Sequence, residues 1–205
     1  KIDFSTGGGH LGIYMVNGGQ GRNSGTITVT ASDVSNELFS VGMAAGYTDT
    51  KNTSKNRVGH VINTGTINVG FDNSIGMYAS GVGSIAENIG TINITGKKAI
   101  GMYLESGATG INRGNITIEA TAQSAIAAYS TGKNTIFKNY GTITLKAPSS
   151  KGIVTANGAK DNVVAGTINA QNPSAERTKN IEGTAGGDKK FGDKTLSVPK
   201  GGLRN

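Results

Sequence analysis

Asn88-Ile89-Gly90-Thr91-Ile92-Asn93-Ile94, followed at Ile100 by Ile100-Gly101-Met102-Tyr103, decides the fold. From Thr91 to Ile94 polar and apolar residues alternate strictly, the signature of a strand with one buried face. The same phrase recurs along the chain. It reads Gly25-Thr26-Ile27-Thr28-Val29, Gly65-Thr66-Ile67-Asn68-Val69, Gly114-Asn115-Ile116-Thr117-Ile118, Gly141-Thr142-Ile143-Thr144-Leu145 and Gly166-Thr167-Ile168-Asn169-Ala170. With Gly90 included, successive leading glycines lie 40, 25, 24, 27 and 25 residues apart. Asn stands two residues before the glycine in five copies, at Asn23, Asn63, Asn88, Asn112 and Asn139, and Val164 takes its place in the sixth. Asn-x-Gly reads as a tight corner, because both residues tolerate positive φ.

The second phrase keeps the same beat. Leu11-Gly12-Ile13-Tyr14, Val41-Gly42-Met43-Ala44 and Ile75-Gly76-Met77-Tyr78 precede Ile100-Gly101-Met102-Tyr103, and Ile126-Ala127-Ala128-Tyr129 and Ile153-Val154-Thr155-Ala156 follow it. A weaker apolar spot comes before most Asn corners: Val61-Ile62, Ile85-Ala86, Ile111, Ile136-Phe137 and Val163-Val164. The first coil has Gly18 to Arg22 there. Three short strands and three turns in each beat describe one rung of a solenoid. The predicted fold is all-β, a right-handed single-stranded parallel β-helix of about six rungs over residues 1–170. Equivalent side chains should stack at the ~4.8 Å strand spacing, giving a rod segment of ~30 Å. No apolar stripe of helical period persists.

Composition agrees with this and removes whole classes. The chain has 205 residues, 33 of them Gly and 3 Pro, with no Cys and no Trp. No disulfide scaffold, cysteine-ligated metal or thiol catalyst can be built from it. Its apolar runs are too short for a membrane helix. A net charge of +7 is modest and scattered, without the concentrated basic face that nucleic acid requires. Residues 171–205 break the repeat with Pro173, Pro199 and paired glycines, and carry seven basic residues against four acids. They read as an irregular cap, linker or partly disordered tail. A start at Lys1, with neither Met nor a signal-peptide pattern, reads as a piece of a longer protein.

No catalytic constellation stands out. The two histidines, His10 and His60, lie on different segments, and there is no Gly-x-Ser-x-Gly elbow. Asp72, Glu87, Glu105, Glu119 and Asp161 occupy different phases of the repeat, so paired carboxylates for glycoside chemistry are not expected. The calcium-binding nonapeptide of β-rolls is absent. Gly7-Gly8-Gly9-His10-Leu11-Gly12 lacks the Lys-Ser/Thr ending of a phosphate loop. Asn alternating with Thr in the outward rows spoils the regular hydroxyl lattice of an ice-binding face. A non-enzymatic protein without a cofactor or metal is expected.

Two features could bind a partner. Some 15 residues beyond the repeat period are inserted near Ala31 to Glu37 and at 46–60. Solenoid insertions leave the rod as loops, and this one offers Lys51, Lys55, Arg57 and His60. A merely tolerated polar insertion would look the same. The other feature is the row Tyr14, Tyr78, Tyr103 and Tyr129. Facing outward it would be an aromatic stripe for a glycan or protein partner, with Tyr78, Tyr103 and Tyr129 as contacts. The same outward row reads equally as structural, its stacked rings shielding one another and stiffening the sheet, and an inward assignment over the preceding glycine is also open.

Over about residues 10–170 the Asn-x-Gly-Thr-Ile-x-Val/Ile strand, followed by Ile-Gly-Met-Tyr on the same beat, resembles the passenger domains of type V autotransporters. It is most similar to the large fusobacterial outer-membrane adhesins. The resemblance implies export, display at the bacterial cell surface through a C-terminal outer-membrane β-barrel, and a role in cell adhesion and virulence. It defines no catalytic residues here. The expected partner is a host-cell or bacterial surface protein or glycan, bound by a monomer. A polysaccharide-acting β-helix enzyme or tailspike-like depolymerase is the alternative, and a pure spacer a third.

Overall fold

The computed structural model describes residues 1–36, 38–159 and 163–181, and the backbone of 186–191 and 194–199. The chain winds through three parallel sheets in turn. An isoleucine sheet stacks Ile2–Phe4, Thr26–Val29, Thr66–Val69, Thr91–Ile94, Asn115–Ile118, Thr142–Leu145 and Thr167–Ala170. A tyrosine sheet stacks Leu11–Met15, Val41–Ala45, Ile75–Ser80, Ile100–Glu105, Ile126–Thr131, Lys151–Ala156 and Glu176–Ile181. An asparagine sheet stacks Gln20–Asn23, His60–Asn63, Ile85–Asn88, Thr109–Asn112, Ile136–Asn139 and Val163–Val164. The result is a β-solenoid of about seven turns, one more than the repeat phrase counts. The additional strand is Ile2–Phe4, which pairs Ile2 with Ile27 and Phe4 with Val29 without any Asn-Gly lead.

Register follows the repeat: Ile67, Ile92, Ile116 and Ile143 stack, as do Val69, Ile94, Ile118 and Leu145. All eight are fully buried in one continuous core. The asparagines stack too. Each of Asn23, Asn63, Asn88 and Asn112 donates from Nδ2 to the Oδ1 of the next, ending on Asn139, at 2.8 Å every time. The same amides reach the carbonyl of the glycine two residues on, at 3.2–3.3 Å. A buried polar row is tolerable only when satisfied, and this one satisfies itself along the rod.

The corner glycines differ from expectation. None of Gly65, Gly90, Gly114, Gly141 or Gly166 has positive φ. They are required by close approach: a Cβ on each would collide with the carbonyl oxygen of the corner glycine one rung earlier. Positive φ occurs at other corners, for example at Lys98, Ser124 and Ser149 before the tyrosine sheet.

The first rung does have a third strand, Gln20–Asn23, in register with His60–Asn63. Its inner position is Gly21, and a Cβ there would lie 2.7 Å from Ile13 and 2.8 Å from Met15. The tyrosine sheet therefore fills the space. Down the rod the stacked inner positions pair Met15 with Gly21, Ala45 with Val61, Ala79 with Ala86, Leu104 with Gly110 and Ser130 with Phe137. In four of these five pairs a larger side chain meets a smaller one, while Ala79 and Ala86 are both small.

In residues 171–205, Glu176–Ile181 adds a rung in register with Lys151–Ala156. Gly186–Phe191 and Lys194–Pro199 form an antiparallel hairpin. Residues 182–185, 192–193 and 200–205 lie outside the described residues, as do Glu37 of the first insertion and Asp161 among the acids.

Candidate functional site

Between Ala45 and His60 the chain leaves the rod. Tyr47 and Arg57 close the base by exchanging backbone hydrogen bonds at 2.8 and 2.9 Å. At the tip the Asp49 carboxylate accepts from the amides of Lys51 and Asn52, both at 2.9 Å. Those two amides hold its carboxyl below the usual carboxylate range, with Lys55 and Lys51 adding a smaller effect. Asn52 then caps the short turn Thr53–Lys55 through the amide of Ser54. Asn and Asp side chains that bond their own backbone make a loop with a shape. Lys51 and Lys55 are exposed on it. The Arg57 guanidinium turns back onto the carbonyls of Ser54 and Asn56, at 2.9 and 2.8 Å, and braces the loop.

His60, expected on the loop, opens a strand of the asparagine sheet and is half-buried on its outer side. Its Nδ1 meets Gln20 Nε2 at 3.1 Å, and its Nε2 lies 3.9 Å from Glu87. Glu87 accepts from Arg113 Nε at 2.9 Å, and that guanidinium lies 5.0 Å over the ring of Tyr140. Gln20, His60, Glu87, Arg113 and Tyr140 thus form a polar strip along the rod. Sequence reading missed it because its successive members sit 26–40 residues apart. The available signal was phase: Arg113 and Tyr140 share the middle place of the Asn-x-Gly corner.

The tyrosine row corrects the expectation of an exposed stripe. Met77 and Ala79 belong to the inner core, whereas Tyr78 between them belongs to a second apolar cluster. The rings therefore face away from the interior. They are nevertheless covered: Tyr78 is 5% exposed, and Tyr103 and Tyr129 are 0%. Ring centroids are 5.8 Å apart from Tyr78 to Tyr103 and 5.2 Å from Tyr103 to Tyr129. The Tyr78 hydroxyl donates to Glu105 Oε1 at 2.6 Å, joined by Ser80 at 3.2 Å. Burial first, and the Glu105 charge second, push the Tyr78 and Tyr103 phenols well above their ordinary range. Burial also raises Tyr129. Covered in this way, none of the three offers its ring to an outside partner.

The carboxylates are engaged separately. Glu119 pairs with Lys146 at 3.0 Å, Glu176 with Lys179 at 3.1 Å and Asp3 with Lys1 at 3.2 Å. Asp72 accepts from the Lys97 amide at 2.9 Å. Among the described residues no three His, Asp or Glu side chains gather as a metal site. A shallow depression of about 540 Å³ lies between Val34, Phe71, Asp72 and Lys97–Lys98. No helix among the described residues is long and apolar enough to cross a membrane.

Three stacked parallel sheets around one apolar core, with loops projecting at the corners, define the pectate lyase-like β-helix class. The family model described as the BigA third pectate lyase-like domain matches residues 4–114, and the chain belongs to that family. No curated protein and no solved structure matches it significantly.

Proposed function

We propose that this chain is a rod segment of an exported bacterial surface adhesin of the autotransporter kind, binding a host-cell or bacterial surface protein or glycan through its projecting loop. The observation that carries this is the ordered loop at 46–59, which presents Lys51 and Lys55 on an otherwise regular rod. A tip organised by its own side chains loses less entropy on binding than a floppy insertion would. Its cations suit an acidic protein patch or an anionic glycan. The BigA family assignment and the repeat phrases shared with autotransporter passengers support the surface role. The reading is non-enzymatic: acids held one by one in ion pairs and turns are a poor basis for glycoside cleavage.

Flow cytometry of the labelled chain on epithelial and bacterial cells, over a salt series, tests this. Saturable binding that weakens with salt is expected, since exposed charges are screened within ~10 Å at 0.1 M salt. Absence of binding to every cell type would overturn it in favour of a spacer. Release of reducing sugar from cell-surface polysaccharide would overturn it in favour of an enzyme.

A further inference from the structure

The insertion near Ala31 to Glu37 plays no part in the loop at 46–59, yet its described residues are firmly held. Asp33 and Leu38 exchange backbone hydrogen bonds at 2.9 and 2.8 Å. The Asp33 carboxylate accepts from Ser35 Oγ at 2.7 Å, and from the Asn36 amide and Nδ2 at 3.1 and 2.6 Å. The turn rests on Gly8, where a Cβ would collide with the Asp33 nitrogen and lie 2.7 Å from the Leu38 oxygen. Ser32 Oγ meets Ser74 Oγ at 2.7 Å in the interior and ties the turn to the next corner, Phe71 to Ser74.

This fixed turn is one wall of the depression of about 540 Å³. Gly70 adds no side chain to the floor, while Val34 and Phe71 line it at 40% and 37% exposure. The ring departs from the repeat. The register that aligns Ile75 with Ile100, Ile126 and Lys151 puts Gly96, Ala122 and Ala147 at the place of Phe71. Around the ring the rim is polar, with Asp72, Asn73, Lys97 and Lys98. Asp72 Oδ1 accepts from the Lys97 amide at 2.9 Å. Among the described residues neither of these two ammonium groups is in an ion pair, whereas those of Lys146 and Lys179 are.

We propose that this depression binds a terminal sugar bearing a carboxylate. A half-open aromatic ring offers an apolar face to the C–H face of a sugar. Val34 meets its apolar substituents, and Asp72 and Asn73 supply an acceptor and a donor for its hydroxyls. Its carboxylate accepts from the ammonium of Lys97 or Lys98, a charge-assisted bond. Two cations against one carboxylate favour an anion over a neutral sugar. The volume falls within the roughly 300–1,000 Å³ of small-ligand sites. Confinement to one corner suits the end of a glycan better than a chain running along the rod. A peptide anchor would instead call for a deep, fully desolvated pocket. A shallow site of this kind binds in the millimolar range and adds to the loop rather than replacing it.

Saturation-transfer NMR and calorimetry on the full chain test this, with 3′-sialyllactose, methyl β-glucuronide and neutral lactose as probes. Saturable binding of at least one carboxylated sugar, at least about fivefold tighter than lactose, is expected. Phe71→Ser should weaken it at least about tenfold, and Lys97→Gln/Lys98→Gln should abolish the preference over lactose. None of the three side chains is buried, so the melts of both variants should match the unaltered chain. Lys51→Glu/Lys55→Glu should bind the sugar unchanged, which separates this site from the loop and from the cell binding assigned to it. No saturable binding of either carboxylated sugar, equal binding of lactose, or undiminished binding by both depression variants would overturn the proposal. Tighter binding of a blocked acidic peptide with one central phenylalanine would also overturn it and assign the depression to a protein partner.

Discussion

Replacing Asn112 with Ala should expose how the asparagine row works. Asn112 Nδ2 donates to Asn139 Oδ1 at 2.8 Å and to Gly114 O at 3.3 Å, and its Oδ1 accepts from Asn88 at 2.8 Å. The change leaves Asn139 Oδ1 buried without that donor, at roughly 1–3 kcal/mol, and the other lost bonds add roughly 1 kcal/mol. Asn88 Nδ2 keeps Gly90 O and Asn115 O, both at 3.3 Å, so it adds little. The sum is about 2–4 kcal/mol. At 2–4 °C per kcal/mol for a chain of this size, that is a melting shift of roughly 4–16 °C. Asn139→Ala is the internal comparison. Asn139 ends the row, so its removal orphans no further asparagine oxygen, and Asn112 Nδ2 retains Gly114 O. It should cost about 1 kcal/mol. Thermal and urea melts of both variants, followed by circular dichroism, give the result. Equal losses, or a greater loss at Asn139, would refute the directional row.

Gly90→Ala should destabilise by roughly 1–3 kcal/mol, because its new methyl meets the backbone oxygen of Gly65, which cannot yield. Gly70→Ala meets the Thr30 methyl at 3.1 Å, with Thr95 Oγ1 and Val29 O at ordinary contact distances of 3.5 and 3.6 Å, and should cost less in the same urea melt. In an alkaline titration read at 295 nm, Tyr78, Tyr103 and Tyr129 should stay protonated past the unfolded value of about 10, their phenols being raised by burial. Their contribution is complete below that pH and is lost as pH rises above it, so unfolding and phenolate absorbance should appear together. Asn68→Cys/Asn93→Cys, at stacked positions of adjacent rungs, should form a disulfide under mild oxidation. Asn68→Cys/Thr117→Cys, two rungs apart, should remain two thiols by mass spectrometry.

The isoleucine sheet was legible in the sequence because its strands bury one face and repeat both residues and turn. Ile2–Phe4 was not, since Ile2-Asp3-Phe4 lacks the Thr-Ile-x-Val wording of the other strands and is recognised only by its pairing with Ile27 and Val29. Gln20–Asn23 was hidden for another reason. Its inner place belongs to Met15 of a neighbouring sheet, so Gly21 carries no apolar signal. The corner glycines were legible as necessary, but their cause was not. Contact with the previous rung, rather than positive φ, excludes a side chain there. The loop cations Lys51 and Lys55 were readable as an insertion. His60 was not placed correctly, because its partners Gln20 and Glu87 are neighbours only after stacking. Alternation gave the tyrosines a side of the sheet, while their burial depends on what lies over that side.

Charge reversal in the loop tests the central claim most directly. Lys51→Glu/Lys55→Glu leaves the backbone ties of Asp49, Asn52 and Tyr47–Arg57 in place. Melting of this variant should match the unaltered chain, while cell binding in the cytometry titration falls at least tenfold and loses its salt dependence. Binding of unchanged affinity and salt dependence would contradict the claim that the projecting loop is the binding element of this rod.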